Sequence, residues 1–348
     1  MARILYGLCG VGIGHAVRTK LILEYLKEKK HEFFVITSGA AYYYLSKYFE
    51  NVYDISGFEL VFKNNKIMSF RTLFKNLTKF NLSNYKNIKE VIIRIDEFKP
   101  EIVISDWETV SSFYAKNRKL QLISIDNQGY TKYGDYDIQF KYLFQYWKAR
   151  FFLKTLVKNP DYNIVMLLPG TKLKNIENVF GVSPLIREDI KNAKRKIGNH
   201  ILVYDSTRNH ERLIKILREI KTEFIVYGYK RIAKEGNIEF KGFDDTSEFV
   251  RDLATCRGVI TNAGFTLINE AIYLEKPLLC VPIRKHFEQI LNALYVEYNN
   301  YGESHWRLSV KTIKKFIKSI DKYHYERPEY KDDLYNVLDS LLEKVNKK

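Results

Sequence analysis

Short apolar runs alternate along this chain with longer stretches in which apolar residues recur every three to four positions. Arg3 to Cys9 (RILYGLC) is such a run, followed by a glycine-rich turn and a helical pattern from His15 to Lys27. Glu32 to Thr37 (EFFVIT) reads as a second buried strand, with a helix near Ala40 to Tyr48. Ile88 to Phe98 is helical, Ile102 to Ser105 (IVIS) is a strand ending at Asp106, and Leu122 to Ile125 (LISI) is a strand ending at Asp126. Short apolar strands separated by helical stretches predict a parallel sheet with helices on both faces.

The pattern then starts again. Ile201 to Tyr204, Phe224 to Tyr227, Ile238 to Phe240, Gly258 to Ile260 and Leu278 to Val281 alternate with helical stretches, and a last helix is predicted from Tyr330 to Val345. The turn around Gly181 to Glu188 (GVSPLIRE) and the Lys/Arg-rich run to Asn199 read as the connection between two domains. The expectation is an α/β protein with two successive doubly wound domains, residues 1–185 and 186–329, with residues 330–348 packing back on the first. In such sheets ligands sit beyond the carboxyl ends of the strands, so residues there carry the functional weight.

Composition narrows the classes. With 46% hydrophobic and 28% charged residues the chain is an ordinary globular protein, and no repeat or low-complexity stretch interrupts it. The three cysteines, Cys9, Cys256 and Cys280, are widely spaced in or beside apolar runs and read as buried free thiols of a reducing compartment. Glycines break the first apolar run, and no apolar stretch approaches a membrane span, so neither a secretion signal nor a transmembrane helix is expected. The expected location is the cytoplasm, with attachment at a membrane face as an option. The net charge of +16 fits an anionic membrane, an anionic substrate, nucleic acid or simply a lysine-rich surface.

The densest chemistry lies between Thr261 and Asn292. A buried strand runs into Asn262-Ala263-Gly264, and a helix opens near Phe265 or Thr266. A strand–glycine–helix junction gathers backbone N–H groups and the positive end of a helix at one spot, which suits a diphosphate. Thr266 adds a hydroxyl, and Glu270, one turn deeper on the same face, suits a ribose diol. Taken singly, Glu270 reads rather as a solvated helix residue and Gly264 as an ordinary turn glycine, and only their combination at the strand's carboxyl end reverses the balance.

The combination NAGFTLINEAIYLEKPLLCVP…HFEQILNA resembles the C-terminal signature of GT-B glycosyltransferases related to MurG (family 28). The resemblance implies two Rossmann-like domains facing across a cleft, with acceptor binding in the first and donor binding in the second. It places the diphosphate at Ala263, Gly264, Phe265 and Thr266, with Asn262 beside them, and the ribose at Glu270. It places sugar hydroxyls at Glu288 and Gln289, where relatives often carry Gln-Gln or Asp-Gln. Ser206 and Thr207 fall where the family sets a small hydroxyl residue against the phosphates, and Arg208 beside them suits a diphosphate clamp. Phe243 falls in the loop bordering the base, although core packing explains it equally well.

Gly7 to His15 (GLCGVGIGH) is a poor dinucleotide fingerprint, since His15 replaces the third glycine and the next strand ends in Thr37-Ser38 without a carboxylate. No standard P-loop motif is present. The stretch Gly12-Ile13-Gly14-His15 instead resembles the first loop of GT-B enzymes, which implies that His15 is the general base on an acceptor hydroxyl, with capping of the helix start as its competing role. Asp106 ranks second, either orienting His15 or acting itself. Glu108 and Asp126 share its position at strand ends, where helix capping is the competing role. Arg18, one turn after His15, reads as a holder of phosphate or acceptor.

Positive charge is concentrated in two stretches. Residues 61–89 hold seven Lys/Arg and no acid, interleaved with Phe62, Met68, Phe70, Phe74 and Phe80. Residues 139–158 hold five Lys/Arg, no acid and seven aromatics. Such segments suit an anionic bilayer, and equally a helix with aromatics turned to the core and lysines to water. Nucleic acid lacks a recognisable motif here. The function implied is metal-independent, inverting transfer from a nucleotide-diphosphate sugar, UDP foremost, to a hydroxyl acceptor, with a lipid-linked one in view and no cofactor. The rivals are a nucleotide-sugar epimerase of the same fold and a non-catalytic basic binding protein on that scaffold.

Overall fold

The computed structural model describes residues 1–10, 13–55, 82–205, 211–229, 231–243 and 246–346. Its described residues divide into two compact units. One contains the described residues up to Leu185 together with those from Tyr330 onward, and the other contains the described residues between Ile186 and Glu329.

The first unit is built on a sheet of seven strands: β1 (Arg3–Leu8), β2 (Glu32–Thr37), β3 (Val52–Asp54), β4 (Ile102–Asp106), β5 (Gln121–Asp126), β6 (Tyr162–Met166) and β7 (Val179–Val182). Their spatial order is β3-β2-β1-β4-β5-β6-β7, and every pairing is parallel. After β1 the chain builds outward through β2 and β3, then returns to lay β4 on the other side of β1. The switch therefore falls between β1 and β4, the position where doubly wound sheets open a crevice at the carboxyl ends of their strands. Helix Ile13–Glu28 leaves β1 there, and β4 delivers Asp106 to the same end, in register with Leu8.

The central strands are apolar because both faces are covered. Leu5, Phe34, Ile36, Val103 and Leu122 pack against Val91 and Ile95 of helix Leu82–Phe98 and against Tyr114 and Ala115 of helix Thr109–Arg118. Each fully buried side chain of this kind contributes about 1.5–3 kcal/mol. The C-terminal helix Asp333–Asn346 belongs to this unit. Its Asp333 carboxylate accepts the Ser183 N–H (2.8 Å), Asp339 accepts the Tyr25 hydroxyl (2.7 Å), and Tyr335 stacks on Tyr25.

The second unit repeats the plan with β8 (His200–Tyr204), β9 (Glu223–Tyr227), β10 (Ala233–Glu235), β11 (Ile238–Phe240), β12 (Gly258–Thr261), β13 (Leu278–Cys280) and β14 (Gly302–Ser304), in the order β10-β11-β9-β8-β12-β13-β14. The hairpin strand β10 is antiparallel to β11, and the remaining pairs are parallel. Here the switch falls between β8 and β12. Lys276 is buried, its ammonium held by the carbonyls of Lys196 (2.6 Å) and Cys256 (2.9 Å), which ties the segment before β8 to the entry of β12. All three cysteines are buried and free, as read from their surroundings.

The strands expected from apolar runs are present within a residue or so, and the alternation yields the α/β architecture it predicted. Five further strands escaped that reading: β3, β6, β7, β10 and β14 are short, polar-interrupted or half-buried, so their apolar signal is weak. Gly181 and Val182, read as part of a connecting turn, are the end of β7. Among the described residues no helix is long and apolar enough to cross a membrane.

Gly7 in β1 sits directly beneath helix Thr109–Arg118. A Cβ at this position would meet the Ser111 side chain and the Glu108 carboxylate closer than packed atoms allow, so the helix or its side chains must shift. Gly7→Ala is expected to lower stability by about 1–3 kcal/mol, read as a lower urea midpoint at an unchanged slope.

Candidate functional site

At the switch of the first sheet, the carboxylate of Asp106 is wholly buried. Such a carboxylate survives only with compensating charge and hydrogen bonds. Arg18 supplies both, with Nε on Oδ2 at 2.9 Å and Nη2 on Oδ1 at 2.5 Å, while its Nη1 donates to the Asn127 side chain. His15, one turn earlier on the same helix, places Nδ1 3.0 Å from Asp106 Oδ1. Burial opposes ionisation of Asp106, but Arg18 and His15 outweigh it and hold the carboxyl below its ordinary range.

His15 Nδ1 also lies 2.8 Å from Arg18 Nη2, so a proton-accepting and a proton-donating partner both stand at this nitrogen. Nε2 points the other way, 3.3 Å from the Gln128 amide nitrogen. With its proton on Nδ1 and directed to Asp106, the imidazole offers a lone pair at Nε2, which is what a general base needs. The Trp107 ring lies parallel to the imidazole at 6.4 Å between centroids. Trp107 itself occupies the left-handed region (φ 57°), uncommon for an aromatic residue and a mark of local backbone constraint.

The structure brings His15 and Asp106 together and gives the two other strand-end carboxylates hydrogen-bond partners of their own, although Asp126 lies near enough to feel the charges of Asp106 and Arg18. Glu108 is the N-cap of helix Thr109–Arg118, accepting the N–H groups of Val110 (2.7 Å) and Ser111 (2.6 Å). Asp126 accepts the Ser124 hydroxyl (2.7 Å) and the Gly129 N–H (2.5 Å). Burial raises both carboxyls above their ordinary values. Arg18, read as a holder of phosphate or acceptor, is instead spent internally: it is buried, and Asp106 and Asn127 take its donors. Asn127, Gln128 and Trp107 were not singled out in the sequence, although the run SIDNQ after β5 and the pair Asp106-Trp107 flanked the residues that were. Gly14 belongs to helix Ile13–Glu28, whereas Gly12 lies outside the described residues.

At the switch of the second sheet, β12 ends in Thr261 and helix Phe265–Tyr273 opens after Gly264. Gly264 is its N-cap, with no side chain closing the first turn and no acid within it, so the N-terminal amides keep their positive character. Ala263 stands at φ 62°, and its carbonyl accepts the Asn292 side-chain amide (3.0 Å). Asn262 is buried and donates to the Val281 carbonyl (3.3 Å), bracing the junction to the end of β13. Phe265 is buried, and Thr266 half-buried on the opening turn.

Glu270 is neither solvated nor alone. It is 3% exposed, and Arg187 Nε donates to its Oε1 at 2.8 Å. Burial raises this carboxyl above the ordinary value and Arg187 counters in part. Arg187, overlooked within the connecting turn, also reaches Asp189 at 3.4 Å. Gln289 turns its Oε1 onto the Ile283 N–H (2.9 Å), fixing the loop before helix Phe287–Tyr298, while Glu288 is half-buried on the first turn. Phe243 packs among Tyr204, Tyr227 and Phe249, with centroids 5.6, 5.2 and 5.3 Å away. Ser206, Thr207 and Arg208 lie outside the described residues.

Two doubly wound units with these switch-point constellations define a GT-B glycosyltransferase, and comparison with known proteins agrees. A family model described as "Glycosyl transferase family 1" matches residues 2–321, and the chain belongs to that family. Over 102 residues it is 29% identical to UDP-N-acetylglucosamine--N-acetylmuramyl-(pentapeptide) pyrophosphoryl-undecaprenol N-acetylglucosamine transferase 3 of Bacillus cereus, a match spanning 28% of each chain. It is 24% identical to an uncharacterized glycosyltransferase of Methanosarcina acetivorans over 94% of this chain and 89% of the relative. Among solved structures, MurG of Acinetobacter baumannii superposes with a TM-score of 0.54 at 13% identity, covering 93% of this chain and 92% of its own. LpCGTa in complex with UDP superposes with a TM-score of 0.60 at 15% identity, covering 92% and 90%.

The Glu270–Arg187 pair generates a pH-dependent prediction. Because the folded carboxyl protonates more readily than the unfolded one, the stability this group contributes is fullest below the unfolded carboxyl range and falls as pH rises through the folded value. Arg187→Met removes the countercharge, so it is expected to cost about 3–5 kcal/mol near neutrality and distinctly less below the ordinary carboxyl range, where Glu270 carries its proton. Urea unfolding at the two pH values reads the difference; an equal loss at both would show that the ion pair is not what Arg187 contributes.

Proposed function

We propose that this chain transfers a sugar from a UDP-sugar to a hydroxyl group of a lipid-linked acceptor, by one inverting displacement and without a metal ion. The observation that carries the reading is the His15–Asp106 contact at the switch of the first sheet, in a chain whose second sheet opens a helix beside a buried glutamate at the equivalent point. The acceptor class is supported by the relative from Bacillus cereus, whose name gives an undecaprenol-linked substrate, and the nucleotide by that name and by the UDP-bound neighbour.

In this reading the acceptor hydroxyl takes the place of the Gln128 amide at His15 Nε2. His15 removes its proton as the oxygen attacks the anomeric carbon, and Asp106 stabilises the imidazolium that forms. The bond from the anomeric carbon to the diphosphate oxygen breaks, UDP leaves with the electron pair, and a single displacement inverts the centre. The first-turn amides of helix Phe265–Tyr273 receive the diphosphate charge, a task that metal ions perform in other transferases. Glu270 holds the ribose diol, with Arg187 keeping its carboxylate ionised and aimed. Asn262 and Asn292 set the shape of the junction, and Phe243 borders the base. Arg208, Ser206 and Thr207 complete the diphosphate site, with Glu288 and Gln289 at the sugar. Catalysis takes place at the cytoplasmic membrane face, where a lipid-linked acceptor is presented.

A panel of nucleotide sugars assayed for free UDP with and without lipid extract tests the reading. The expected result is UDP release that depends on the lipid; release without acceptor, or an epimerised sugar, would overturn it. His15→Ala is expected to leave UDP affinity intact and lower turnover by about 10²–10⁴-fold. Glu270→Ala is expected to weaken UDP binding on the order of tenfold or more. Unchanged UDP affinity in the Glu270 variant, measured by calorimetry, would sink the ribose assignment.

A further inference from the structure

Helix Leu143–Leu156 wears its aromatic residues on the wrong side for a helix facing water. Phe140, just ahead of it, is 89% exposed, and Phe144, Trp147 and Phe151 on the helix are 75%, 62% and 72% exposed. Their spacings of four, three and four residues put them on one face, and Lys141 and Lys148 lie exposed on the same side. The flanks of this row are anchored. Phe152 meets Trp107 edge-on at 6.3 Å, and Arg150, which lies over the Trp147 ring at 5.9 Å, donates to the Tyr146 hydroxyl (2.6 Å) and the Lys132 carbonyl (3.2 Å). The bland sequence reading, with aromatics inward and lysines outward, therefore fails for this face. A row of exposed aromatic rings is uncommon on a protein surface and marks an interface.

We infer that this face docks on an anionic bilayer, with the four rings entering the headgroup–acyl boundary and the lysines meeting lipid phosphates. The occupant follows from charge. Residues 139–158 contain no acid to oppose the lysines, and the whole chain carries +16. A second copy of the chain would set the same lysines against their own kind across a two-fold contact, whereas an anionic headgroup layer attracts each of them. The rings supply the apolar half of the binding and the lysines the electrostatic half, the combination by which interfacial helices hold to membranes. The inference extends the reading of a lipid-linked acceptor, since such an acceptor is available only at a bilayer. It rests on exposure and charge, so its test needs no turnover.

Co-sedimentation of the full chain with vesicles of phosphatidylcholine, alone or mixed with phosphatidylglycerol, tests it. The wild type is expected to prefer the anionic vesicles and to lose that preference in high salt. The combined variant Phe144→Ser, Trp147→Ser, Phe151→Ser is expected to lose on the order of tenfold or more in partitioning at an unchanged melting temperature, because these side chains are exposed. Lys141→Gln with Lys148→Gln is expected to lower the preference for anionic vesicles while the weak binding to neutral ones persists. Should the combined variant fold poorly, Trp147→Ser alone gives the same readout at smaller amplitude. A serine variant that binds like the wild type, a wild type that binds neither vesicle, or a dimer in sedimentation velocity abolished by the serine changes without vesicle binding would overturn the inference. Lipid-dependent UDP release, assayed in parallel, reports on the catalytic reading separately.

Discussion

A carboxylate with no access to water at the end of β4 sets the terms for the first unit. Ionised and unpartnered, Asp106 would be too costly to bury, so the surrounding residues are arranged to answer it. Arg18 grips both oxygens, Asn127 holds the far side of the guanidinium, and His15 is drawn to the remaining edge. The geometry of the imidazole is thus a by-product of solving a charge-burial problem. Its Nδ1 is committed to Asp106 and its Nε2 faces the other way, toward Gln128.

The second unit meets the same constraint with different residues. Glu270 lies buried on the helix that opens at Gly264, and Arg187, from the start of this unit, crosses to it. In both units a buried acid–arginine pair lies near the switch in strand order, with Asp106 at the end of β4 in one and Glu270 on the helix after β12 in the other. No side chain caps the helix after Gly264, and the imidazole Nε2 is turned from Asp106 toward Gln128.

Sequence reading recovered more of the architecture than of its internal pairing. The central strands were visible because burial on both faces demands unbroken runs of Ile, Val, Leu and Phe, while the edge strands β3, β10 and β14 carry little apolar signal. His15 and Asp106 stood out because each follows a strand end, yet so did Glu108 and Asp126, and only folding sorts the cap from the partner. Arg18 looked like a ligand-binding cation on local grounds. Its actual partner lies 88 residues away, beyond the reach of any local pattern. Glu270 and Arg187, 83 residues apart, were likewise joined only by the fold.

What the sequence determined by itself was periodicity and the positions it implies: two rounds of strand–helix alternation, their strand ends, and the glycine junction at residues 262–266. These follow from local rules, because burial pattern and backbone freedom act over a few residues. The tertiary structure decided which strand ends become neighbours, which charges are extinguished in the interior and which remain available. It also decided that the aromatic face of helix Leu143–Leu156 looks outward, although its composition fitted a core as well as a membrane. Those outcomes depend on contacts between residues far apart in the chain, and only the packed sheet brings such residues within reach of one another.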